Sequence, residues 1–136
     1  MRNELSKNNK WYLPRHRYYE LKHFVMQAPD WEKAYNNNLD LKAKSIDILQ
    51  KEHGDLVGNT AVRNMTYLDK ITLIKKAAQL SDQYLSIYIL KGVIGDKGYD
   101  YLRTKLNIPC SRETYYDRYR KFFWILDKLQ DHNSDI

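Results

Sequence analysis

Arg112, Thr114, Tyr116 and Arg120 fall in one short stretch near the carboxy end, directly behind a Pro109-Cys110-Ser111 turn. Side chains of these types at the opening of a helix can recognise nucleic acid. A guanidinium forks onto guanine and a threonine can meet a thymine methyl, while a tyrosine hydroxyl reaches phosphate or sugar. A helix amino end adds free backbone N–H groups and a positive dipole end. Ser111 has the residue type of an N-cap. Lys121 extends the basic face, and Lys97 and Arg103 of the preceding segment are placed for phosphates. The expected nucleic-acid contacts are thus Ser111, Arg112, Thr114, Tyr116, Arg120, Lys121, Lys97 and Arg103.

Other reactive residue types carry less. His16, His23, His53 and His132 have no ligand spacing between them, and neither CxxC nor HxxxH occurs. Cys110 lies beside the expected N-cap, a place that can depress a thiol's pKa, but no histidine base is paired with it. Asp96, Asp100, Glu113 and Asp117 lack the spacing of a metal-dependent nuclease. There is no phosphate-binding glycine loop and no serine elbow. No enzyme, no cofactor and no metal site is expected.

The elements that must position these residues read as helices. The chain has only three prolines and five glycines, and its apolar residues recur at three and four. One helix is expected after Pro14 over residues 15–27, with Tyr18, Leu21, Phe24 and Val25 along a stripe. Asp30 should cap a short helix over 31–35, and Asn36-Asn37-Asn38 should break it before another over 39–53. Residues 54–65 read as a linker. A helix over 65–80 carries Tyr67, Ile71, Ile74 and Ala78, and Ser81 or Asp82 should start the next over 83–93, with Leu85, Tyr88 and Ile89 inward. A short helix over 98–106, a break at 107–110 and a long final helix complete a helix-turn-helix pattern. Tyr115, Tyr119, Phe122, Leu126 and Leu129 form the buried face of that last helix.

The fold class that follows is all-α: an N-terminal helical subdomain plus a C-terminal helix-turn-helix with a long final helix. Its expected parts are a flexible arm over 1–13, the subdomain over 14–53, the linker over 54–65, a helical bundle over 66–131 and a tail over 132–136.

Lys and Arg number 23 against 17 Asp and Glu, a net charge of +6, which suits an acidic partner. Residues 111–136 are nonetheless balanced, with five basic and five acidic side chains. Trp124 lies off the apolar stripe and needs a cover, which the amino-terminal helices, a second copy in a homodimer or a foreign partner could supply. No apolar run reaches the roughly 20 residues of a membrane span, and MRNELSKNNK has no apolar core of a signal peptide. A cytoplasmic protein is expected.

The string LKGVIGDKGYDYLRTKLNIPCSRETYYDRYRKFFWILDKL, with YYELKHFVMQAPDW upstream, resembles small prophage-encoded proteins of the ArpU/RinA type. These are late-gene transcriptional regulators whose last helices are similar to a sigma-factor region 4. The shared pattern falls on Cys110, Ser111, Arg112, Tyr115, Tyr116, Arg120 and Phe123. The resemblance implies binding of double-stranded DNA by the last helix inside a bacterial host cell, with RNA polymerase or another host protein as a further partner. The alternative is a phage-encoded inhibitor or adaptor, such as an anti-CRISPR protein, that grips a host protein or ribonucleoprotein. Trp124 and the surplus tyrosines would then be its anchors.

Overall fold

The computed structural model describes the backbone over residues 9–49 and 55–134, and the side chains over 9–38 and 66–131. It is all-helical and ends in a long helix. The elements are α1 (Arg15–Met26), α2 (Ala28–Leu49), α3 (Asp55–Ser81), α4 (Ser86–Ile94), α5 (Tyr99–Leu106) and α6 (Arg112–Ser134).

Two compact units divide the chain. One combines Met1–Gln27 with Leu73–Ile136, and the other is Ala28–Thr72. This overturns the expected N-terminal subdomain over 14–53. The helix α1 belongs with the carboxy-terminal helices and packs on α4 and α6, because Tyr18, Leu21 and Val25 bury one complete stripe there. The bundle expected over 66–131 is therefore incomplete without α1. The tail also begins later than expected, since the α6 backbone is helical through Ser134.

Two breaks are absent. Of the linker expected over 54–65, residues 55–65 lie inside α3 and Gly54 lies outside the described residues; the stretch holds no proline, and a glycine in a helix costs only about 1 kcal/mol. The Asn36-Asn37-Asn38 run lies inside α2, because each Asn costs under about 0.7 kcal/mol relative to Ala, too little to end a helical ladder. Asp30 is not a cap either. It sits in the first turn of α2, where its charge favours the positive dipole end, and Pro29 beside it gives up an N–H that would have no helical partner.

Other boundaries follow the residue types. Ser81 closes α3, its buried hydroxyl donating to the Ala78 carbonyl at 2.6 Å. The carboxylate Oδ1 of Asp82 accepts the N–H groups of Tyr84 (2.9 Å) and Leu85 (3.0 Å), turning the chain into α4. Between α4 and α5, Asp96 takes a left-handed conformation with φ 52°, which Asp and Asn tolerate best after glycine. Asn107 does the same after α5 (φ 52°, ψ 47°), and the N–H groups of Asn107 and Ile108 return to the Leu102 carbonyl.

The core of the first unit is aromatic as much as aliphatic. Tyr115, Phe122, Phe123 and Leu126 of α6 are buried with Leu21 and Val25 of α1, Ile89 and Val93 of α4 and Leu102 of α5. Each such side chain contributes about 1.5–3 kcal/mol. The Tyr18 and Tyr119 hydroxyls meet at 2.7 Å inside this core, and Tyr18 stands edge-on to Phe123 with centroids 5.0 Å apart. These tyrosines are packing residues, which removes them as partner anchors. In the second unit, the Lys70 ammonium lies 4.9 Å from the Trp31 ring centroid. Among the described residues no helix is long and apolar enough to cross a membrane.

Candidate nucleic-acid interface

The short α5, the Asn107–Ser111 turn and the amino end of α6 hold the expected contact residues. Ser111 caps α6, its Oγ accepting the Thr114 N–H at 3.2 Å and lying 3.1 Å from the Thr114 hydroxyl. Ser111, Arg112, Glu113 and Thr114 are all exposed. Tyr115 and Tyr119 point inward behind them, and burial pushes both phenols far above the ordinary tyrosine range. They stay neutral and fix the rotation of α6.

The expected set divides by place. Arg112 pairs with Asp100 and lies over the Tyr99 ring, 5.3 Å from its centroid, so its guanidinium is held at the junction of α5 and α6. Arg103 follows Asp100 by three residues on the same helical face and is exposed with no ionic partner among the described residues. Lys97 is exposed, its ammonium 5.4 Å from the Tyr101 centroid. Lys105, which the sequence reading passed over, is also exposed on α5. Its position in the last turn of a short helix was the signal that could have found it.

Tyr116 is a different case. Its hydroxyl accepts the Tyr99 N–H at 3.2 Å, so it stops the amino end of α5 rather than reaching outward. The Tyr99 hydroxyl in turn donates to the Cys110 carbonyl. Together the two tyrosines tie the amino end of α5 to α6 and to the turn between them. Burial first and the Asp82 carboxylate second push the Cys110 thiol above its ordinary value, against a smaller opposing effect of Arg118. The expectation of a depressed thiol is corrected on those grounds.

Trp124 finds its cover within the chain. Trp11, four residues ahead of α1, packs edge-on against it with centroids 5.4 Å apart. The Trp11 indole N–H donates to Asp117 Oδ1 at 3.2 Å, and Lys121 and Lys128 lie over the two rings at 5.5 and 5.2 Å. Trp124, half-buried, is thus covered from within the chain, and Lys121 is half-buried over an indole rather than presented outward. In the segment 9–13, expected as part of a flexible arm, Trp11 is docked on α6 and a turn holds its neighbours. The Asn9 side chain accepts the Trp11 N–H at 2.9 Å and its carbonyl accepts the Tyr12 N–H at 3.1 Å. The rest of that arm, residues 1–8, lies outside the described residues.

Charges on α6 are largely settled inside the unit. Asp127 pairs with Arg17 of α1 at 2.6 Å, and Arg118 bridges Asp117 and Asp82. The balanced formal charge of the helix therefore overstates its exposed acidity. Arg120 and Glu113 remain uncommitted, with no hydrogen bond or ion pair among the described residues, and the Arg120 Nε is buried without a partner. Both line an open cleft of about 400 Å³ with Asn9, Thr114, Asp117 and Arg118. Among the described residues, no group of three or more His, Cys, Asp or Glu could hold a metal ion.

Comparison with protein-family models, with curated proteins and with solved structures found no match to this chain.

Proposed function

We propose that the protein binds double-stranded DNA as a transcription regulator of the prophage-encoded kind, through the amino end of α6 and the basic side of α5. One observation carries this reading. The opening residues of a well-capped helix, Ser111–Thr114, are exposed, Arg112 among them meets α5 at Asp100, and Lys97, Arg103 and Lys105 before and along α5 are exposed with no acidic partner among the described residues. Lys97, Arg103 and Lys105 would neutralise phosphates, while Arg112 and Thr114 would reach base edges. RNA polymerase is a further partner of the same proposal.

Titration of a random-sequence duplex by fluorescence anisotropy tests it. Affinity should fall as salt rises, with a log–log slope of about −0.9 for each phosphate neutralised. The triple variant Lys97→Glu, Arg103→Glu, Lys105→Glu should bind far more weakly, with a shallower slope and an unchanged melting temperature. Absence of duplex binding by the parent at low salt would end the reading.

A second reading, a phage-encoded inhibitor or adaptor of a host protein, rests on a different surface. Leu80, Tyr84 and Ile87, close in sequence across the turn from α3 to α4, are 53%, 77% and 54% exposed. Apolar side chains of this size left in water favour a protein partner. Binding that survives high salt and is lost in Tyr84→Ala would select it over the first.

A further inference from the structure

Resting on the DNA-binding reading, the geometry assigns base specificity to two α6 residues in the Asn9-flanked cleft: we infer that Glu113 reads cytosine and Arg120 reads guanine. The cleft runs along one strip of α6, with Glu113, Thr114, Asp117 and Arg120 spaced at +1, +4 and +7 from the first. A ligand there meets only part of this charge. Asp117 is occupied by the Trp11 indole N–H and by Arg118, and Arg118 is occupied by Asp117 and Asp82. Glu113, an acceptor, and Arg120, a donor, are what remain.

That pair is badly suited to phosphate alone, because Glu113 would repel the backbone its neighbours attract. It is well suited to base edges in a major groove, where a carboxylate accepts from the cytosine amino group and a guanidinium donates to guanine O6 and N7. Arg120 lines the cleft and makes no hydrogen bond or ion pair among the described residues; its Nε is enclosed, so the terminal guanidinium nitrogens are the donors left for a base. The seven helical steps from Glu113 to Arg120 span about 10.5 Å, close to three base-pair steps of about 3.4 Å. Asn9 at the rim spends its carbonyl oxygen on Trp11 and keeps its amide N–H groups, which suit a phosphate of the flanking strand.

Selection from a random duplex library, with parent, Glu113→Gln and Arg120→Ala each sequenced, tests the assignment. The parent should enrich sites holding a cytosine and a guanine about three base pairs apart. Glutamine pairs with adenine instead, so Glu113→Gln should move the cytosine position toward adenine by about tenfold while the other positions stand. Arg120→Ala should erase preference at the guanine position alone. Melting temperatures close to the parent's confirm that both variants are folded. If the parent binds duplex and both variants keep its consensus, the base assignment is overturned while DNA binding stands. If the parent enriches nothing and binds no duplex, the DNA reading falls and this assignment with it.

Discussion

Gly92 lies against the phenol of Tyr115, and the two residues define each other. A Cβ placed on Gly92 would sit 2.5 Å from the Tyr115 hydroxyl and 3.3 Å from the Lys97 carbonyl. That hydroxyl is buried with no hydrogen-bond partner among the described residues, and Tyr115 as a whole is fully buried in the core, where a shift of the ring disturbs its neighbours. Gly92→Ala should cost about 1–3 kcal/mol as an overpacked core, even though alanine is the better helix former. Tyr115→Phe removes a polar atom that has nothing to bond, and should change stability by less than about 1 kcal/mol. In the double variant the clash with the hydroxyl is gone, and part of the Gly92→Ala cost should return. Urea denaturation of the four proteins measures this, and strict additivity would contradict the contact. In the sequence, Tyr115 was legible as core because it sits on a clear three-four stripe. The need for glycine at 92 was not, since only the packed structure brings a phenol from α6 to a helix of another part of the chain.

At the scale of elements, the short segment before α1 acts on α6 as a staple. Trp11 covers Trp124, and Arg17 of α1 holds Asp127 and Gln130 further along the same helix. Edge-on aromatic pairs add about 0.5–1.5 kcal/mol beyond the area they bury. Trp11→Ala and Trp124→Ala should each lower the melting temperature without changing sedimentation, and the double variant should fall short of their sum by that coupling. A change of mass in Trp124→Ala would instead point to a second copy as its cover. The helical wheel correctly set Trp124 apart from the buried stripe, but a wheel cannot name the partner of an off-stripe residue. The turn between α5 and α6 was legible for a stronger reason: Pro109 and Ser111 act locally, through backbone restriction and capping. The continuity of α2 and α3 was not legible, because asparagine and glycine are weak breakers whose cost the rest of a helix can outweigh. Of the expected contact residues, those at the helix opening are exposed as expected. Tyr116 and Lys121 are engaged inside the unit, by interactions with Tyr99 and Trp11 that span regions no local pattern connects.

For the whole molecule, the consequence is that one compact unit is assembled from the two ends of the chain, residues 1–27 and 73–136. A reading by composition and breaks places boundaries where the local pattern changes, and so assigned α1 to its sequence neighbours. Burial assigns it to α4 and α6. Tyr18, Leu21 and Val25 are 9%, 1% and 0% exposed, and at about 1.5–3 kcal/mol each they supply roughly 5–9 kcal/mol. A domain's whole stability is only about 5–15 kcal/mol, so α4, α5 and α6 should not stand without α1. A chain cut to residues 66–136 keeps α4, α5 and α6 yet uncovers Phe123 and breaks the Tyr18–Tyr119 hydrogen bond. It should show no cooperative thermal transition and should bind a hydrophobic dye. A peptide of residues 9–27 added in trans should restore both the transition and the edge-on packing of Trp11 on Trp124, read from tryptophan fluorescence. Cooperative melting of the cut chain by itself would make α1 an accessory and return the boundary to the middle of the sequence.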